Sequence, residues 1–290
     1  MNMRETGNTT APTKYVKAGD NTYAYRQFGS GAGLPLLFLQ HFTGTLDNWD
    51  PAVTDPLAQD RPVILFESAG IGRSSGKVPE TVAGMAEHAA RFLDALGLTR
   101  IDVLGFSLGG MVAQVIAVKR PALLRRIILA GTGPEGGVGV AMDRPELLKI
   151  FVDQKMPAGE KLLKLFFETT ETSQSAGRRF VQRLAQRTKD TDTPTTAEAA
   201  GAQLAAMAIW AKSGGEPYAN LTKIDQPVLV TNGNHDIMIP TVNSFTLSEH
   251  LPNAQLIIYP DSGHGALFQH SGAFTSHVSE FLNRSDGLVV

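Results

Sequence analysis

The segment Ile101-Asp102-Val103-Leu104-Gly105-Phe106-Ser107-Leu108-Gly109-Gly110 constrains this chain more than any other. Its apolar-rich start reads as a short buried strand, and Gly105-Phe106-Ser107-Leu108-Gly109 breaks it sharply. Met111 to Lys119 (MVAQVIAVK) follows as an apolar helix. A G-x-S-x-G pattern between strand and helix forces its serine into a tight turn with the hydroxyl held clear of the backbone. The flanking positions must be small because the helix packs back on the strand. Glycine also tolerates the dihedrals such a turn needs. Ser107 therefore reads as a nucleophile, which the rest of the chain must activate, cover and feed.

The surrounding pattern is repeated βαβ. Pro35–Leu39 (PLLFL), Val63–Phe66 (VILF), Ile127–Ala130 (IILA), Pro227–Thr231 (PVLVT) and Gln255–Tyr259 (QLIIY) are apolar runs. Such runs suit strands buried on both faces of a parallel sheet. Helical patterns separate them, at 51–59, 81–96, 240–250 and 266–282. Gly97 stops the second of these helices. Tyr15–Val16 and Tyr23–Gln27 read as a hairpin through Gly19-Asp20-Asn21. The class is α/β with a mostly parallel sheet, whose ligands sit outside the carboxyl ends of the strands. Ser107 follows one such end.

Between Arg144 and Lys212 no buried-strand run occurs. Helical patterns at 146–152, 160–167, 176–186 and 196–210 occupy it instead. We expect residues 134–220 to form a helical cap inserted in a core of residues 1–133 and 221–290. Met207 and Trp210 are its candidates for the pocket lining, together with Phe106 and His41 from the core. The glycine pairs at 136–137 and 214–215 would permit hinging or serve as plain connections. Residues 1–14 are polar, lack an apolar signal core and read as a disordered lead-in.

Composition narrows the function. A formal net charge of -2 and the lack of a basic run argue against a nucleic-acid partner. No apolar stretch is long enough to span a membrane, so a cytoplasmic enzyme is the expectation. The absence of cysteine removes disulfides, thiolate metal sites and a cysteine nucleophile. His235-Asp236 has no second ligand cluster beside it, so no metal is expected. Gly29-x-Gly31-x-Gly33 is a loop cluster with no βαβ strand before it, so no dinucleotide cofactor is expected.

A serine hydroxyl needs a base, and the base needs an orienting acid. Of seven histidines, His264 sits in a glycine-flanked loop past a strand. His88, His250, His270 and His277 fall on expected helices. Asp236 stands past the preceding strand, which gives the chain order Ser, Asp, His associated with this elbow. Glu67 at the end of VILF reads as the holder of the glycine-rich turn after it. Glu135 and Asp261 are weaker acids for the site.

With GFSLGG, NGNHD, PDSGH and ESAGIGRSS on the page, the chain resembles the α/β-hydrolase superfamily from about residue 22 onward. Within it, the chain looks most like the small capped esterases and the cofactor-free haloperoxidase group. The resemblance implies an eight-stranded mostly parallel sheet flanked by helices, with Ser107 as nucleophile, Asp236 as acid and His264 as base. The oxyanion hole takes one N–H from Leu108, at the helix start where N–H groups are free. The family's His-Gly-x loop, anchored here on Trp49, falls on Gln40-His41-Phe42 and makes Phe42 N–H the second donor. Gln40 and His41 depart from that pattern. His41 either points into the pocket or only orders the loop.

The expected substrate is a small to medium hydrophobic ester or lactone, cleaved through an acyl-enzyme. A C–C bond hydrolase or a perhydrolase using the same triad is the alternative. A non-hydrolytic small-ligand receptor on the same fold is the rival from another class.

Overall fold

A computed structural model describes residues 7–212 and 214–285. β1 (Lys14–Ala18) and β2 (Asn21–Phe28) form the expected hairpin. Then come β3 (Leu36–Leu39), α1 (Pro51–Leu57), β4 (Val63–Phe66), α2 (Val82–Ala95), β5 (Ile101–Phe106), α3 (Leu108–Lys119) and β6 (Leu124–Ala130). Four helices follow: α4 (Pro145–Val152), α5 (Ala158–Phe166), α6 (Glu171–Leu184) and α7 (Ala197–Trp210). The sheet resumes with β7 (Val228–Gly233), α8 (Val242–His250) and β8 (Ala254–Tyr259), and the chain ends in α9 (Ala266–Gln269) and α10 (Ser271–Asn283).

The sheet has eight strands in the order β1-β2-β4-β3-β5-β6-β7-β8. β2 pairs antiparallel with β1 and with β4, and every other neighbour is parallel. This is the α/β-hydrolase architecture. β3, β4 and β5 are buried at every position, because helices cover both faces of a parallel sheet. The apolar runs of the sequence are a direct print of that burial.

Helix ends follow local chemistry. Thr81, Thr170 and Thr196 cap α2, α6 and α7 by accepting the N–H of Gly84, Ser173 and Ala199. The cap at Thr170 starts α6 five residues ahead of the apolar pattern at Ala176. The last helix is broken rather than continuous, because His270 (φ −104°, ψ 37°) leaves the helical region between α9 and α10. Its ring stacks on Tyr259, and its Nε2 lies 2.9 Å from Pro260 O.

The expected disordered lead-in needs correction where it is described. Residues 1–6 lie outside the described residues. Within residues 7–14, Asn8 and Ala11 are buried while Thr10, Pro12 and Lys14 are exposed. Asn8 Nδ2 donates to Trp49 O at 2.7 Å, and Arg187 donates to the Asn8 and Ala11 carbonyls at 2.9 Å each. Polar side chains that find partners far along the chain are invisible to a composition argument.

At the amino end of the strands, Asp102 is fully buried within β5. It accepts from Arg125 Nε at 2.9 Å and Nη2 at 2.6 Å, and Arg61 Nη1 lies 3.6 Å away. Removing one partner of a buried pair leaves the other charge without compensation. Asp102→Ala is therefore expected to cost about 3–5 kcal/mol. It should be read as a lower denaturation midpoint with an unchanged m-value, and no change in midpoint would contradict the role given to this cluster. No helix among the described residues is long and apolar enough to cross a membrane.

Candidate active site

Ser107 has φ 55° and ψ −119°, a strained conformation for a residue with a Cβ, costing about 1–3 kcal/mol. Its surroundings hold it there. Ser107 N–H donates to Ala130 O at 2.9 Å. Its carbonyl accepts from Gly110 N–H at 2.9 Å and from Thr132 Oγ1 at 2.8 Å. The flanking glycines are demanded by distance. A Cβ on Gly109 would lie 2.0 Å from Leu39 O, and one on Gly105 would lie 2.4 Å from Gly109 O.

Asp236 lies three residues past β7. Its Oδ1 accepts from Met238 N–H at 2.7 Å and Ile239 N–H at 2.9 Å. Its Oδ2 meets His264 Nδ1 at 2.7 Å. That contact assigns the Nδ1 proton to the donor side and leaves Nε2 as the basic nitrogen of the neutral ring. Ser107 Oγ and His264 Nε2 are both buried, and neither has a hydrogen-bond partner among the described residues. They are not joined in this structure, as is common before a substrate tightens a site.

The walls are aromatic. The His264 ring packs on Phe106 and Phe166, with centroids 4.8 and 5.3 Å apart. Phe268 and Phe180 extend this cluster. Phe106 is thus fully enclosed behind the imidazole. The loop carrying His264 is tied to α5, where Phe166 O accepts Gly265 N–H at 2.8 Å.

His41 is buried, bonded to its own loop and packed against aromatic rings. Nδ1 lies 2.7 Å from Phe42 O, so it orders the loop. The ring also stands edge-on to Phe106 and Phe166, the same two rings that touch His264. Burial drives its pKa down to about 4, with the Phe42 carbonyl opposing and His264 adding to the fall. His41 is therefore neutral at physiological pH, with a buried Nε2 that has no partner. The N–H groups of Phe42 and Leu108 have no hydrogen-bond partner among the described residues, and both residues are buried.

A sequence model of the alpha/beta hydrolase fold family matches residues 35–271. The chain belongs to the alpha/beta hydrolase fold family. A solved alpha/beta hydrolase fold protein from Chitinophaga pinensis is 40% identical, covering 97% of this chain and 100% of that one, with a TM-score of 0.91. A 2-hydroxymuconate semialdehyde hydrolase from Pseudomonas sp. (strain CF600) is 27% identical over 90% of this chain and 91% of that protein. A poly(3-hydroxyalkanoate) depolymerase from Ectopseudomonas oleovorans is 28% identical over 86% and 84%.

The remaining candidates of this hydrolase fall elsewhere. Met207 is fully buried on α7. Trp210 donates to Gly133 O at 3.3 Å. It lines a cavity of about 560 Å³ between α2, α3 and the end of α7, whose walls include none of Ser107, Asp236 or His264. Asp261 is taken up by Thr170 and Thr172, and Glu135 by Asn220. Among the described residues, no cluster of three or more His, Asp or Glu side chains could hold a metal ion. The sequence reading missed Thr132, Thr43 and Gln203. Only Gln203 left a trace, as a polar residue on the apolar stripe of α7.

Glu67 holds the turn after β4, accepting from Arg73 N–H at 2.7 Å and Leu46 N–H at 3.4 Å. Burial first, then the nearby Asp192, raises its pKa from 4.5 to about 8. The folded state thus binds this proton more tightly than the unfolded state does. The group's stabilising contribution is complete below about pH 4.5 and is lost as pH rises through about 8. Glu67→Gln is expected to flatten that part of the stability profile. Parallel denaturation midpoints for both proteins from pH 4.5 to 8 would refute it.

Proposed function

We propose that this protein is a serine hydrolase that cleaves a small to medium hydrophobic carboxylic ester or lactone through an acyl-enzyme. The observation that carries the reading is the held imidazole: His264 Nδ1 bound by Asp236 Oδ2 at 2.7 Å, with the buried Ser107 on a strained turn next to Phe106, whose ring packs on the imidazole. The relative named a depolymerase is consistent with acyl transfer.

In this reading Nε2 of His264 takes the Ser107 proton as Oγ attacks the acyl carbon. Asp236 stays ionised, holds the ring and stabilises the imidazolium. The Leu108 and Phe42 N–H groups receive the oxyanion, each worth roughly 10²–10³ in turnover. His264 then protonates the leaving oxygen, and the same nitrogen activates the water that releases the acid. His41 stays neutral through this cycle, because a second charge beside the imidazolium is opposed by burial and repulsion. Residues 134–220 act as the cap. α5 presents Phe166 to the imidazole, and its apolar contacts give the acyl group a dry surface. The 2-hydroxymuconate semialdehyde hydrolase relative favours a second reading, a C–C bond hydrolase using the same triad.

A fluorophosphonate probe is expected to label the wild type and not Ser107→Ala. Absence of wild-type labelling would count against both readings. Asp236→Asn should lower kcat by about 10⁴ through the wrong tautomer. p-Nitrophenyl esters of graded chain length separate the readings. Turnover abolished in Ser107→Ala supports the esterase. A labelled enzyme inert to every ester and active on a vinylogous diketone supports the second.

A further inference from the structure

We infer that Gln203 of α7 is a positioning residue for the oxyanion loop, so that the segment covering the site also builds part of it. The inference rests on the serine-hydrolase reading above.

The loop leaves β3 at Gln40 and has no regular structure to shape it. It is pinned at its two ends by one side chain. Gln40 Oε1 accepts His41 N–H, and Gln40 Nε2 donates to Thr45 O, both at 2.9 Å. Between these pins Thr43 sits at φ 61°, an outlier for a β-branched residue. Such a conformation persists only where the surroundings over-determine it. Here they lie 152 and 160 positions further along the chain. Thr195 Oγ1 donates to Thr43 O at 2.8 Å, and Gln203 Oε1 accepts Thr43 N–H at 2.8 Å.

The peptide plane between Phe42 and Thr43 is consequently held at both edges. Its carbonyl accepts from His41 Nδ1 at 2.7 Å and its N–H donates to Gln203. That plane sets ψ of Phe42 and φ of Thr43. The neighbouring plane, between His41 and Phe42, carries the N–H assigned to the oxyanion. Releasing the Gln203 bond lets the first plane turn and swings the second off the site.

The placement of Gln203 on α7 supports the role. Ala199, Gln203, Ala206, Met207 and Trp210 form the buried stripe of this helix, and Gln203 is its one polar member. A buried amide is costly unless bonded, and Gln203 meets that need at the loop. Seating α7 therefore completes the hole, and displacing α7 by more than a hydrogen-bond length opens it.

The experiment compares Gln203→Met, which keeps the length and loses the acceptor, with Gln203→Glu, which keeps an acceptor oxygen. Steady-state kinetics on a p-nitrophenyl ester, the rate of fluorophosphonate labelling at Ser107 and thermal denaturation are measured on each. Gln203→Met is expected to lose kcat on the order of 10- to 100-fold, less than outright removal of a donor. KM should move by less than about threefold and labelling should slow in parallel, since labelling draws on the same oxyanion stabilisation. Gln203→Glu should recover most of the loss. A folded Gln203→Met that keeps kcat within about twofold, or that changes KM alone, would overturn the inference, as would folded Met and Glu variants equally impaired. If Gln203→Met does not fold, Thr195→Val against Thr195→Ser makes the same comparison from the carbonyl side. A slow Val variant with an active Ser variant supports the inference, and equal rates overturn it. Wild-type protein that neither labels nor turns over any ester overturns the hydrolase reading and this inference with it. Wild-type protein that does both, with variants that behave alike, overturns this inference alone.

Discussion

The approach of α3 to the sheet sets the rest of the molecule. At Gly109 the helix backbone comes so near β3 that a Cβ would stand 2.0 Å from Leu39 O and 2.9 Å from Gln40 O. Those two carbonyls are the last of β3 and the root of the loop that follows. A single close contact therefore sets the start of α3 against the root of the 40–45 loop. The pairing of β3 with β5 follows the same geometry, since the helix that leaves β5 packs directly over its neighbour. Any side chain at Gly109 would push α3 away from β3.

Three loops carry the site, and they differ in how they are held. The Asp236 turn is shaped largely from within, because the carboxylate takes two of its own following N–H groups, and Arg144 adds bonds to the Ile237 and Met238 carbonyls. The His264 loop depends on the covering helices, through Gly265 and Phe166 and through Asp261 with Thr170. The 40–45 loop depends on α7 and on Thr195 just before it. Residues between β6 and β7 are thus joined to all three loops by directional bonds. Around them the rings of Phe106, Phe166, Phe180 and Phe268 exclude water. That low-dielectric enclosure keeps His41 neutral and strengthens the Asp236–His264 bond relative to water.

The core strands were legible because burial on both faces writes an uninterrupted apolar run, as in LLFL and VILF. The candidates Ser107, Asp236 and His264 were legible because they stand within a few residues of such runs, in loops of small residues. Boundaries were less so. The break at His270 and the early start of α6 at Thr170 depend on contacts that periodicity does not record. Trp210, an obvious candidate for a pocket wall, faces Gly133 and a cavity apart from the triad. Helical spacing says which residues share a face, and it does not say what that face meets.

The sequence by itself determined the α/β class and the strand–turn–helix at Ser107, and it set Ser107, Asp236 and His264 past strand ends in that order. These are local properties of backbone sterics and strand-end position, written within a few residues of each site. Tertiary structure alone decided the burial of Asn8, the pairing of Asp102 with Arg125, the neutral state of His41 and the hold of Gln203 on Thr43. Each of these joins residues far apart in the chain, and its energy comes from desolvation and directional bonding that exist only once the elements have packed.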